Sequence, residues 1–180
     1  MSKGLPATIL ALPLCLFSAR PANAAEAGDV TQTDTFGVVA WNHNFTTGKT
    51  TSLGTGVLPI SEFIGAHYYV TDRIRLGMNL QFTDLYAGDP PPKGDHFLTF
   101  ALLPQIGWNF YKHLFAAAVF TYAPRSYGQD KLDLGVQAVF GNAFPITDWA
   151  NMTLAIEIPY NFYAAESIAV TPLLGLSFKL

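Results

Sequence analysis

Ile74-Arg75-Leu76-Gly77-Met78-Asn79-Leu80-Gln81-Phe82-Thr83 alternates without a break. Ile74, Leu76, Met78, Leu80 and Phe82 fall on one face of an extended chain; Arg75, Gly77, Asn79, Gln81 and Thr83 fall on the other. The stretch predicts a strand with one wholly apolar side. Strands of water-soluble sandwiches also alternate, but they usually run about five or six residues, whereas about ten tilted residues cross a hydrocarbon layer. The apolar face is therefore expected to meet lipid.

The same period returns in Leu132, Leu134, Val136, Ala138 and Phe140, in Met152 through Phe162, and in Ile168 through Leu180. Less regular stretches at 35–45, 57–70, 97–110 and 114–123 bring the count to eight. The expected fold is all-β, an eight-stranded antiparallel up-and-down transmembrane β-barrel over residues 35–180. Short connections at Thr71-Asp72-Arg73, Tyr111-Lys112-His113 and 145–149 are assigned to the periplasmic end. Those at 46–56, 85–96, 124–130 and 164–167 are assigned to the outside, and an even strand number puts both termini in the periplasm. Tyr68, Tyr69, Phe110, Tyr111, Phe144 and Trp149 crowd one set of strand ends. Phe45, Phe82, Tyr86, Phe97, Tyr122, Tyr160 and Phe162 crowd the other, as two interfacial girdles would require.

Half the chain is hydrophobic and 13% is charged, which excludes a disordered protein. An apolar stretch from Leu5 to Ser18 follows Lys3 and precedes Ala22-Asn23-Ala24, a small-x-small cleavage pattern, so residues 1–24 read as a signal peptide and 25–34 as a short periplasmic segment. The single cysteine, Cys15, leaves with that leader, so the mature chain is expected to carry no disulfide. No basic patch points to nucleic acid. No later run approaches the roughly 20 apolar residues of a membrane helix.

The stretch Tyr68-Tyr69-Val70-Thr71-Asp72-Arg73-Ile74-Arg75-Leu76-Gly77 resembles the strand, turn, strand signature of small outer-membrane barrels related to outer-membrane proteins A, X and W. Leu173 to Leu180 resembles the C-terminal signal such proteins show to the barrel-assembly machinery, with Gly175, Phe178 and Leu180 in the glycine, aromatic and terminal hydrophobic places. Leu173 departs from the usual polar residue there, and Leu180 from the commoner Phe. The resemblance implies a bacterial outer-membrane location, with outer-membrane lipid, lipopolysaccharide and the assembly machinery as partners.

An eight-stranded barrel has room inside for its own side chains or one small ligand, which disfavours a general diffusion pore. The expected interior is small and rather apolar, with Ala101, Leu103, Gly107, Ala117, Val119, Thr121, Val139, Ala143, Ala155 and Ala169 facing in. Glu157 is expected inward near mid-height among few cations, and a buried carboxylate needs a partner. Gln105, Gln137 and Asn79 complete a candidate interior ligand site for a slim apolar molecule. Pro159 and Pro172 each remove a ladder donor from neighbouring strands and are expected side by side, as a lateral seam between the seventh and eighth strands. That seam resembles the proline-flanked openings of the lipid A palmitoyltransferase barrel, without a match to its catalytic segments.

Ser61-Glu62, His43, His67, Asp95-His96 and Ser126 are the remaining chemical candidates. They form no His-x-Ser pair of the lipid A deacylase kind, and no metal or cofactor site is assigned. The leading expectation is a non-enzymatic barrel serving envelope integrity, surface contact or binding of a small apolar ligand. The alternative is a lipid-modifying or lipid-handling barrel.

Overall fold

The computed structural model describes residues 26–52, 60–87, 95–111, 113–124, 132–162 and 166–180. The signal peptide expected over 1–24 lies outside the described residues, as do Ser126 and much of the outward connections; the side chains of Tyr86, Asp95, His96 and Phe97 are likewise not described. Every element among the described residues is a strand: β1 (Val30–Val38), β2 (Trp41–Asn44), β3 (Lys49–Ser52), β4 (Ile60–Tyr69), β5 (Ile74–Ala87), β6 (Asp95–Tyr111), β7 (Leu114–Ala123), β8 (Asp133–Pro145), β9 (Ala150–Asn161) and β10 (Ser167–Lys179).

The strands form one antiparallel sheet that closes on itself. β1 and β2 pair in turn with β10, and β4 and β3 pair with β1 and β2, so each couple forms one wall strand and the barrel has eight. Closure runs from Thr31 opposite Lys179 to Gly37 opposite Leu173, then resumes one residue out of step at Trp41 opposite Val170. Closing the ladder satisfies the backbone groups that an open edge would leave bare, which hydrocarbon does not tolerate.

Alternation determines the two faces as the sequence reading expects. Leu76, Met78, Ile106, Trp108, Phe140, Leu154, Ile156 and Leu174 point outward and are exposed, while Phe63, Ala101, Leu103, Phe115, Ala117, Val119, Ala155 and Leu173 pack inside. A protein in water does not turn its largest apolar side chains outward in a continuous band. Ring pairs Trp108–Phe110 and Trp149–Phe178 gather at one end of the wall, and Trp41–His43 and Tyr160–Phe162 at the other.

Several expectations are corrected. The first wall strand begins at Val30 rather than Thr35, so residues 30–34 belong to the barrel and not to a free N-terminal segment. Gln32 and Asp34 face outward there, which spoils the apolar alternation that marks the other strands. The expected connection over 46–56 is shortened because β2 and β3 extend the first hairpin to a turn with Gly48 at φ +65°. Tyr69 is buried inside the wall at 5% exposure instead of joining a girdle.

The turns at 70–74 and 146–150 share one construction. Thr71 Oγ accepts from the amides of Arg73 and Ile74 at 3.2 and 2.9 Å, and Thr147 Oγ accepts from those of Trp149 and Ala150 at 3.3 and 3.1 Å. Both turns read Thr-Asp at matching places, a local hydroxyl-to-backbone device. This end of the barrel, with both described chain ends, is the turn end.

Candidate functional site

Inside the barrel lies a cavity of about 140 Å³, many times the roughly 10–15 Å³ that one water needs. Asp72, His113 and Lys179 line it at the turn end, and Leu103, Val119, Gln137 and Glu157 line it higher up. Leu103, on β6, is 1% exposed and packs in the cluster with Phe63, Phe115 and Leu173.

Four residues named from sequence, Asn79 on β5, Gln105 on β6, Gln137 on β8 and Glu157 on β9, all line this cavity. Strand alternation explains it, since each occupies an inward parity position on a strand whose opposite face is apolar. They do not form one hydrogen-bonded plug. Gln105 donates to Nε2 of His67 on β4 at 2.8 Å, Gln137 Oε1 is buried without a donor, and among the described residues nothing donates to the Glu157 carboxylate, which is 4% exposed.

Cations sit lower. Lys179 pairs with Asp29 at 2.6 Å, and the Arg75 guanidinium lies 4.5 Å over the Phe115 ring with its Nε unpartnered. Gly107 makes room for that arginine, because a Cβ there would stand 2.6 Å from Arg75 Nε. Arg75 and the His67–Gln105 contact were not singled out from sequence as site features; an arginine on an inward parity position beside a glycine was the available signal.

The other chemical candidates do not assemble. Ser61 turns inward to Thr83 at 2.8 Å, whereas Glu62 turns to the outer wall beside Phe36 and Phe82. His43 bonds Thr50 on the β2–β3 hairpin at 2.7 Å, far from the inward His67.

The two prolines of the expected seam are not side by side. Pro172 lies opposite Ile156, while the β9–β10 ladder skips Pro159 and Ile158, whose register places them opposite Ala169 and Val170. Equal sequence distance from the expected turn does not give equal height, because Ser167, expected in the turn, pairs with Asn161 in the ladder. A second interruption occurs between β6 and β7, where pairing skips Leu103 and Pro104. Each break contains a proline, which brings no N–H to the ladder. At the turn end, Gly175 faces inward against β1, Phe178 stacks on Trp149 at 5.7 Å, and the Leu180 amide donates to Val30 at 2.9 Å.

No protein-family model matches the chain, and no curated protein matches it. Solved structures do. The attachment invasion locus protein Ail of Yersinia pestis is similar at 10% identity with a TM-score of 0.54, over 86% of this chain and 99% of that one. The outer membrane protein OprG from Pseudomonas aeruginosa is similar at 9% identity with a TM-score of 0.50, over 87% and 98%. At such identities the likeness is one of fold: the chain adopts the closed eight-stranded antiparallel barrel that these two outer-membrane proteins share.

Proposed function

We propose that this protein is a non-enzymatic barrel of the bacterial outer membrane, with the turn end and both termini in the periplasm, that holds a small, slim, largely apolar molecule in its interior cavity. The observation that carries the reading is the apolar outer wall, closed around a cavity whose upper lining is side-chain packed. Lipid and lipopolysaccharide are the partners such a wall fits, and the Gly175, Phe178 and Leu180 pattern fits delivery by the barrel-assembly machinery.

The test is expression in a Gram-negative host. The protein is expected in the outer-membrane fraction, migrating faster unheated than heated, and giving no solute flux when reconstituted into liposomes. Recovery in the soluble fraction, or flux comparable to a general porin, refutes it.

A second reading, a lipid-handling barrel, is favoured by the interrupted β9–β10 ladder at Pro159, where an acyl chain could approach the interior from the side. An altered lipid A acylation pattern on expression supports that reading, and an unchanged one supports the first.

A further inference from the structure

Among the described residues, Glu157 is a charged group inside the barrel with no ion pair. It is 4% exposed, lines the cavity and receives no donor from the described residues. Its register partners are Val139 and Thr171. Two residues from Val139 on the same inward face of β8 is Gln137, 6% exposed, whose Oε1 also has no donor. Two acceptors thus line the same cavity with no hydrogen bond to either among the described residues, a costly arrangement for groups removed from water.

The interior cations do not answer them. Arg75 is occupied over Phe115 and Lys179 on Asp29, both toward the turn end. The walls around the two acceptors are mixed: Leu103, Val119, Ala155 and Leu173 supply apolar surface, while Gln105, across Val119 from Gln137, donates to His67, and Thr171 lies opposite Glu157. A primary ammonium supplies three donors from a compact head, and a short unbranched chain behind it matches both that apolar surface and the 140 Å³ volume. A carboxylate head would meet Glu157 with like charge, and a bare hydrocarbon would leave both acceptors unanswered.

We propose that the cavity binds a linear primary alkylammonium, its head held by Glu157 and Gln137 and its chain lying along Leu103 and Leu173. The proposal rests on the cavity being a ligand site and adds the chemical class of the ligand.

The experiment is calorimetric titration of the protein in lipid nanodiscs with n-butylammonium, 1-butanol and butyrate in turn. The expected result is at least tenfold tighter binding of butylammonium than of either other probe. Glu157→Gln should erase that preference, and Gln137→Leu should weaken butylammonium binding while leaving 1-butanol unchanged. Should Glu157→Gln fail to reach the compact, heat-modifiable form, Gln137→Leu carries the same decision. Equal affinity for butylammonium and 1-butanol, or preference for butyrate, overturns the ammonium head while leaving the cavity as a ligand site. Binding of none of the three removes both readings.

Discussion

Gln105 on β6 donates its side-chain amide to Nε2 of His67 on β4 at 2.8 Å, reaching across the whole of β5 to do so. The residue of β5 at that register is Gly77, paired with His67 on one side and with Gln105 on the other. A Cβ at Gly77 would fall on the imidazole carbons of His67. Gly77→Val is therefore expected to push the pair apart and to lower stability by about 1–3 kcal/mol, the usual cost of overpacking. A urea unfolding midpoint equal to the parent's, measured in the same detergent, would contradict this.

Asp34 stands on the outer wall between Ile64 and Leu176, and Glu62 between Phe36 and Phe82. Carboxylates on a lipid-facing surface are destabilising, though less so than the roughly 2–4 kcal/mol of a midplane Lys or Arg. Asp34→Leu and Glu62→Leu should each stabilise the barrel by about 1 kcal/mol in equilibrium unfolding from phospholipid vesicles. A loss of stability in either variant would count against lipid contact at that part of the wall.

Pro159 interrupts the β9–β10 ladder. Replacing it with Thr restores a backbone donor and should add about 0.5–1.5 kcal/mol, the net worth of one hydrogen bond. Amide exchange at Ala169, which lies opposite position 159, is expected to slow at least fivefold. Unchanged exchange there would mean that the break has another cause than the missing donor.

Gly175 allows the closing strands to touch. A Cβ there would meet the carbonyl oxygen of Asp34 and, at 2.6 Å, the Cα of Thr35, both backbone atoms that cannot swing aside. Gly175→Val should prevent closure even in purified detergent, where no assembly machinery acts, and the fast-migrating unheated form should disappear. If that form persists in detergent and is lost only in cells, the glycine serves recognition alone.

The wall is legible in the sequence wherever lipid-facing bulk repeats, as in Ile74 to Phe82, and the strand expected over 114–123 coincides with β7, Leu114 to Ala123. Parity alone then turned Asn79, Gln105, Gln137 and Glu157 inward. Three things escaped. The expected first strand begins late, at Thr35, because Gln32 and Asp34 give the outer face of β1 the same polarity as its inner threonines. β3, Lys49-Thr50-Thr51-Ser52, falls in the expected connection 46–56 and carries no sustained apolar side to detect, whereas β2 lies within the expected strand 35–45. The relation of Pro159 to Pro172 depends on pairing register, which hairpin geometry determines and composition does not.

Closure joins the two extremes of the described chain, with Thr31 opposite Lys179. Translation delivers β1 first and β10 last, so throughout synthesis the leading strand waits with a bare edge, a template for pairing with the wrong neighbour. Contacts between such distant segments also form slowly. In a chain with this wiring that edge has no native partner until the final strand exists, and any prematurely stopped product is left with nothing to complete the ring.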